Sequence, residues 1–313
     1  MATSGAYVVS EINEDSFVYT ARDDYYRGTP SVKKVVIKTI GSGSTKQIEF
    51  ENGGIDYMRV TSAEDLKKYK EESDKYNMYS ISEARLNYLQ LNPHGPVMST
   101  LSQDARKAIF LALDKDAIVD FAWGSDELAE PANSLITPDQ SIYNKNCKGY
   151  NFNLEEAKKL AKSSGLEGKE LTYIYNSDRA NMESVATVVQ QQLAEIGVTV
   201  NIESCDTSTF FPRFFASKDK ELATTWDLGT NGWDSQRGSN CGQAISYFTN
   251  RLCDCGYSDE VSGLAQKAIG TADAKEKAGT LEYNSGQSVG RMLGIPTYIY
   301  KLCYGFAEKV LLV

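Results

Sequence analysis

The chain has 313 residues, 41% of them hydrophobic and 24% charged, which suits a folded protein large enough for two domains of ordinary size. No stretch approaches the roughly 18–20 consecutive apolar residues of a membrane-spanning helix. An excess of 42 Asp+Glu over 33 Lys+Arg, net −9 and without a basic block, argues against a nucleic-acid partner, because neutralising phosphates takes clustered cations.

The first 60 residues read as strands. AYVVSEI, SFVYTAR and VKKVVIKTI are rich in β-branched and aromatic residues, and RGTPS (27–31) supplies Gly and Pro at a break between them. IEFENGGIDYMRV has its apolar positions separated by an Asn-Gly-Gly turn. Ser62 is a helix N-cap for SAEDLKKYKEE, with Asp65 three residues on. NYLQLN (87–92) predicts a short strand, and the Pro/Gly-rich stretch PHGPVMSTLS after it predicts a domain boundary near residue 90.

Beyond Ser102 the pattern turns helical. SQDARKAIFLAL places Ala105, Ala108, Ile109, Ala112 and Leu113 on one side. Asp114 caps a second helix, KDAIVDFAWG, that Gly124 ends. Asn153 caps LEEAKKLAKSS, with acids early, lysines late and Gly165 as its stop. Strand LTYIYN, helix NMESVATVVQQQLAEIG, strand VTVNIES, helix STFFPRFFAS and a strand from Thr225 to Trp233 follow in alternation. The middle helix sets Met182, Val185, Val189, Leu193 and Ile196 on one face and stops at Gly197. Helices over 259–270 and 273–290 precede a last strand, IPTYIYKLCYGF. The alternation predicts an α/β domain, whose ligands belong at the carboxyl ends of its strands. Trp233 stands at such an end, in TNGWDSQRGSN (230–240).

Signals for chemistry are weak. His94, the sole histidine, lies between prolines in NPHGP and faces no evident nucleophile. Neither GxSxG, a P-loop nor GxGxxG occurs. GSGS (41–44) and NGG (52–54) read as turns lacking the following helix and Lys of a phosphate loop, and no pair of carboxylates is identifiable as an acid–base couple. The residues therefore indicate neither catalytic groups nor a cofactor. Cys241, Cys253 and Cys255 lie close in NCGQAISYFTNRLCDCGY, and a local disulfide from Cys241 to Cys253 or Cys255 is preferred to a metal site, which would need further Cys or His ligands. MATSGAY is unlike a signal peptide, which leaves a cytoplasmic protein or one whose targeting segment lies outside this sequence. The nineteen tyrosines, grouped in DDYYRGTP, YIYN and YIYKLCYGF, fit either core packing or a cleft that cups an adaptable ligand.

Six segments in order resemble the extracellular solute-binding proteins of family 5, the dipeptide/oligopeptide receptors of ABC importers with nickel- and oligosaccharide-binding relatives. TSGAYVVSEINEDSFVYTARDDYYRGTPSVKKVVIKTI is similar to the family's G-T-G-P-Y opening and the strands after it. DARKAIFLALDKDAIVDFAWG, EPANSLITPD, YNFNLEEAKKLAKSSG, GWDSQRGSN and CGYSDEVSGLAQKA resemble its later motifs, so that the likeness runs from about Gly5 to the end.

That resemblance implies a periplasmic-binding-protein-like α/β fold of type II. Part of lobe I would occupy 1–90 and 296–313 and the whole of lobe II 91–295, the chain beginning partway through lobe I. It implies capture of peptides in an interlobe cleft, an ABC permease as partner, and an extracytoplasmic parent. Any membrane attachment would be through an N-terminal lipoprotein anchor outside this sequence. Oligosaccharide or other solute binding, or a ligand-sensing domain of a regulator, are the alternative roles of the same fold. The ligand-binding residues it implies are Asn231, Gly232, Trp233, Asp234, Gln236 and Arg237. Where the family carries an Asp that anchors the ligand α-amino group, this chain has Gln236, a weaker partner for an ammonium. Asp234 falls on the same face if the strand persists, and Arg237 would suit a ligand carboxylate.

Overall fold

A computed structural model of the chain describes residues 4–41, 43–133, 138, 143, 150–216, 221–234, 263, 267, 270–271 and 294–307, with backbone alone at 81–84, 233–234 and 294–307. The chain divides into two compact units. One is Met1–Val60 with Lys67–Tyr79 and Tyr304–Val313, and the other is Thr61–Leu66 with Ser80–Cys303.

In the first unit β1 (Tyr7–Ile12), β2 (Ser16–Ala21) and β3 (Lys34–Lys38) form an antiparallel sheet in that order, as their β-branched composition predicts. Phe17 lies opposite Ile12 on one side and Ile37 on the other. The segment after β3 corrects the reading of an all-strand start. GSTKQIEFE forms helix α1 (Gly43–Glu51), so GSGS is followed by a helix after all. The chain there buries one residue, Phe50, against Tyr69 and Tyr76 at ring distances of 5.6 and 5.2 Å, which a helix can do and an alternating strand does not require. The Gly-Lys-Ser/Thr spacing of a phosphate loop is still lacking. Gly53, at φ +74°, turns the chain toward β4 (Tyr57–Val60), which is hydrogen-bonded to β10 (Gly294–Ala307). Helix α2 (Ala63–Glu71) starts as its sequence indicates, Ser62 Oγ accepting from the Asp65 N–H at 3.1 Å.

Strand β5 (Tyr76–Leu91) is sixteen residues long and includes all but Asn92 of the shorter strand expected over 87–92. It passes from the first unit into the second at Tyr79/Ser80, as β10 returns at Cys303/Tyr304. Helices α3 (Gln103–Leu111), α4 (Lys115–Trp123) and α5 (Leu154–Ser163) begin at Ser102, Asp114 and Asn153. Each cap side chain accepts from backbone N–H groups of the first turn, worth about 1 kcal/mol apiece. Ala105, Ala108 and Ile109 of α3 are buried, and Lys107 Nζ reaches Glu156 Oε1 of α5 at 2.7 Å.

The sheet of this unit reads β10-β5-β9-β7-β8, with β6 (Ala129–Pro131) paired antiparallel to β10. Strand β7 (Glu170–Asn176) runs parallel to β8 (Thr199–Cys205) through α6 (Met182–Ala194), whose Met182, Val185, Val189 and Leu193 are buried. Helix α7 (Thr207–Phe214), capped by Asp206, leads to β9 (Leu228–Asp234). The expected start of β9 at Thr225 is corrected to Leu228. Trp226 and Asp227 precede the strand as buried anchors, Trp226 stacking on Phe214 at 5.0 Å and donating its indole N–H to Arg213 O at 3.1 Å. The helix expected over 259–270 lies outside the described residues except for Gly263, Lys267 and Gly270, which are helical, and that over 273–290 lies wholly outside them, as do Cys147, Cys241, Cys253 and Cys255. Cys205 is a buried free thiol.

Candidate functional site

The amino end of β9 is fixed by a junction that sequence reading did not foresee. The loop after β5 (Asn92–Met98) is tied to the residues just before β9. Asn92 Nδ2 donates to Ala223 O and Trp226 O, each at 2.7 Å. Asp227, fully buried, accepts from the N–H groups of Val97 and Met98 with Oδ1 at 2.9 and 2.7 Å, and from Thr172 N–H with Oδ2 at 3.1 Å. One carboxylate thereby joins the β5 loop, β7 and β9. Gly95 fits this junction only as glycine, since a Cβ there would lie 2.5 Å from Trp226 O. Asp227 is one of 42 acidic residues, and only the neighbouring Trp226 hinted at its burial.

From that anchor β9 runs antiparallel to β5 over its whole length, Leu91 opposite Leu228 and Arg85 opposite Asp234. Its parallel pairing with β7 comprises Tyr173 with Leu228 and Ile174 with Gly229. Among the described residues, the stretch Thr230–Asp234 thus has a ladder on the β5 side alone. Tyr173 and Thr230 share one sheet face and hydrogen-bond through their hydroxyls; burial pushes the Tyr173 phenol pKa well up, and the Thr230 contact offsets that in part.

The other face of β9 carries Gly229 and Asn231. Gly229 rests on aromatic rings, with Phe214 Cε2 at 3.0 Å and Trp226 Cζ3 at 3.2 Å from the place a Cβ would take. Asn231 is opposite Tyr88, which packs edge-on against Phe214 at 6.4 Å. Asn231 is only 5% exposed.

Of the six residues singled out by sequence, Asn231, Gly232, Trp233 and Asp234 lie consecutively on β9. Gln236 and Arg237 lie outside the described residues, and the described part of β9 ends at Asp234. The ladder makes Arg85 of β5 the Cα partner of Asp234, a long-range relation that local spacing does not reveal. No group of three or more His, Cys, Asp or Glu suited to a metal occurs among the described residues, and no helix there is long and apolar enough to cross a membrane.

Residues 1–251 match the family model described as bacterial extracellular solute-binding proteins, family 5 Middle. The chain is 22% identical over 311 residues to the probable D,D-dipeptide-binding periplasmic protein DdpA of Escherichia coli (strain K12), covering 96% of this chain and 56% of DdpA. It is 23% identical over 216 residues to the oligopeptide-binding protein AppA of Bacillus subtilis (strain 168), covering 64% of this chain and 39% of AppA. Among solved structures it is similar to the ABC transporter substrate binding protein CtaP from Listeria monocytogenes, with a TM-score of 0.84 and 25% identity over 98% of this chain and 62% of CtaP. It is also similar to the ABC transporter-associated periplasmic binding protein DppA from Helicobacter pylori in complex with peptide STSA, with a TM-score of 0.81 and 20% identity over 98% of this chain and 59% of DppA. The fold is thus the mixed α/β fold of periplasmic binding proteins.

Proposed function

The chain belongs to the bacterial extracellular solute-binding proteins, family 5, and we propose that it captures peptides outside the cytoplasm and delivers them to an ABC permease, without acting on them chemically. The first compact unit is read as part of lobe I and the second as lobe II. The observation that carries the reading is the stretch Thr230–Asp234, which continues β9 beyond its pairing with β7 while β5 holds it from the other side. A strand held on one side offers main-chain N–H and C=O groups to an extended chain laid along the other, so affinity comes mainly from backbone pairing and depends little on ligand sequence. Asn231, Gly232, Trp233 and Asp234 are the residues of that strand end, with Gln236 and Arg237 following.

Relatives and structural neighbours of the chain are named for dipeptide, oligopeptide, heme and nickel binding, and these chemistries supply the arms of the test. Calorimetric titration of the purified protein with di- to pentapeptides, maltooligosaccharides, heme and nickel–histidine is expected to give saturable heat with peptides. Heat with a sugar, heme or nickel complex and none with any peptide would reassign the ligand and end the peptide reading.

A further inference from the structure

Strands β7 and β8 run parallel, and their last residues, Asn176 and Cys205, are paired. Beyond the ladder, the turn from β7 into α6 (residues 177–181) is fastened to the first turn of α7. Ser177 donates to Cys205 O twice, from its N–H at 2.8 Å and from its hydroxyl at 3.1 Å. Asn176, 1% exposed, donates from Nδ2 to Thr207 Oγ1 at 3.1 Å and accepts the Asp178 N–H at 3.0 Å. Asp178 Oδ2 in turn accepts the Thr207 N–H at 2.8 Å. The Arg179 guanidinium lies over the Phe211 ring of α7, 5.8 Å from its centroid. The N-cap of α7, Asp206, accepts the Thr209 N–H at 2.8 Å, so Asp178 holds an amide of the first turn other than the one this cap satisfies.

We propose that Asp178 is a positioning residue for ligand capture: by holding the Thr207 amide it fixes the β7–α6 turn before a ligand arrives. The inference rests on the peptide-capture reading and adds to it a residue that acts through its neighbours. Ligands of open α/β sheets lie at the carboxyl ends of the strands, and this turn stands at that end of β7. Ser177, Asp178 and Ala180 are exposed there, while the bonds that hold the turn run back into β8 and α7. Connecting segments are ordinarily the mobile parts of a fold. A turn already ordered in the free protein loses less conformational freedom on binding, so more of the contact energy remains as affinity. Asn176 is interior and serves the fold; Asp178 is exposed, and its side chain can be changed without opening the core.

The test measures peptide affinity by calorimetry and amide hydrogen exchange in the free protein, with circular dichroism to verify that each variant is folded at the temperature of titration. Asp178→Ala is expected to weaken binding of tri- to pentapeptides about two- to tenfold, the worth of one hydrogen bond of ordinary strength. It should also speed exchange of the Thr207 amide without ligand. Asp178→Asn keeps an acceptor for that amide and is expected to recover most of the affinity and of the protection. Unchanged affinity in the folded Asp178→Ala variant would mark the bond as structural only, overturning the proposal and leaving peptide capture standing. Equal losses in Asp178→Asn and Asp178→Ala would show that the carboxylate acts by its charge, which also overturns positioning. Faster exchange in neither variant would show that Asp178 does not hold the turn. Wild-type protein that binds no peptide at all would remove both readings together.

Discussion

Gly232 and Asn87 face each other across the β9–β5 ladder at a distance that admits no side chain on Gly232. A Cβ there would lie 2.5 Å from Asn87 Oδ1 and 2.9 Å from Leu86 O. The φ of Gly232 is not positive, so it is space and not backbone conformation that selects glycine. Asn87 is a side chain that can rotate; the Leu86 carbonyl belongs to the strand and cannot yield without moving the ladder.

Gly232→Ala is therefore expected to destabilise the protein by about 1–3 kcal/mol, as overpacking of a filled interior does. Urea unfolding would measure it. Adding Asn87→Ala should restore only part of the loss, because the contact with Leu86 O remains. Full restoration by the double variant would show that the side chain, and not the strand, sets the limit.

The Asp227 junction leads to a second prediction. Asp227→Asn keeps the shape but leaves one side-chain atom a donor where three backbone N–H groups converge on two acceptors. A loss of about 3 kcal/mol is expected, with the native fold retained. Gly95→Ala presses on the same junction, since its Cβ would lie 2.6 Å from Asp227 Oδ1. The two changes should be less than additive in combination, because each disrupts the same loop packing. Strict additivity in chemical unfolding would contradict a shared junction.

Local signals located most of the second unit. Ser102, Asp114 and Asn153 start their helices, and Gly124, Gly165 and Gly197 end theirs or lie just past the end, because capping is chemistry within one turn of chain. Helix α1 was hidden because its nine residues bury only Phe50 and carry no acid in the first turn. The first half of β5 was hidden by its polar run SISEAR, which lacks the alternation of a half-buried strand. At the candidate site the Gly-Trp strand end was legible from Gly232 and Trp233 in sequence. The partners that give it form were not: Leu86, Asn87 and Tyr88 lie more than a hundred residues earlier.

In the first unit, Glu51 accepts from Lys68 Nζ at 2.6 Å and from Tyr69 OH at 2.9 Å. The hydrogen bond from Lys68 is the main cause that holds the Glu51 carboxyl below its ordinary pKa, with Tyr69 assisting and partial burial opposing. Because the folded-state pKa is lowered, the folded state favours the carboxylate. That stabilisation is fully present above the pKa of the unfolded chain and disappears as pH falls through the lower, folded-state value. Both side chains of the ion pair are part-exposed, 40% for Lys68 and 31% for Glu51, so solvent screens it and its worth is about 0.5–1 kcal/mol. Glu51→Gln should lose that amount at neutral pH. The difference from wild type should shrink once the solution is acidic enough to protonate Glu51, and should also diminish in high salt. Paired urea unfolding curves at neutral and acidic pH would check it, and a deficit of equal size under both conditions would show that packing of Phe50 and Tyr69, and not the charge, is what Glu51 supports.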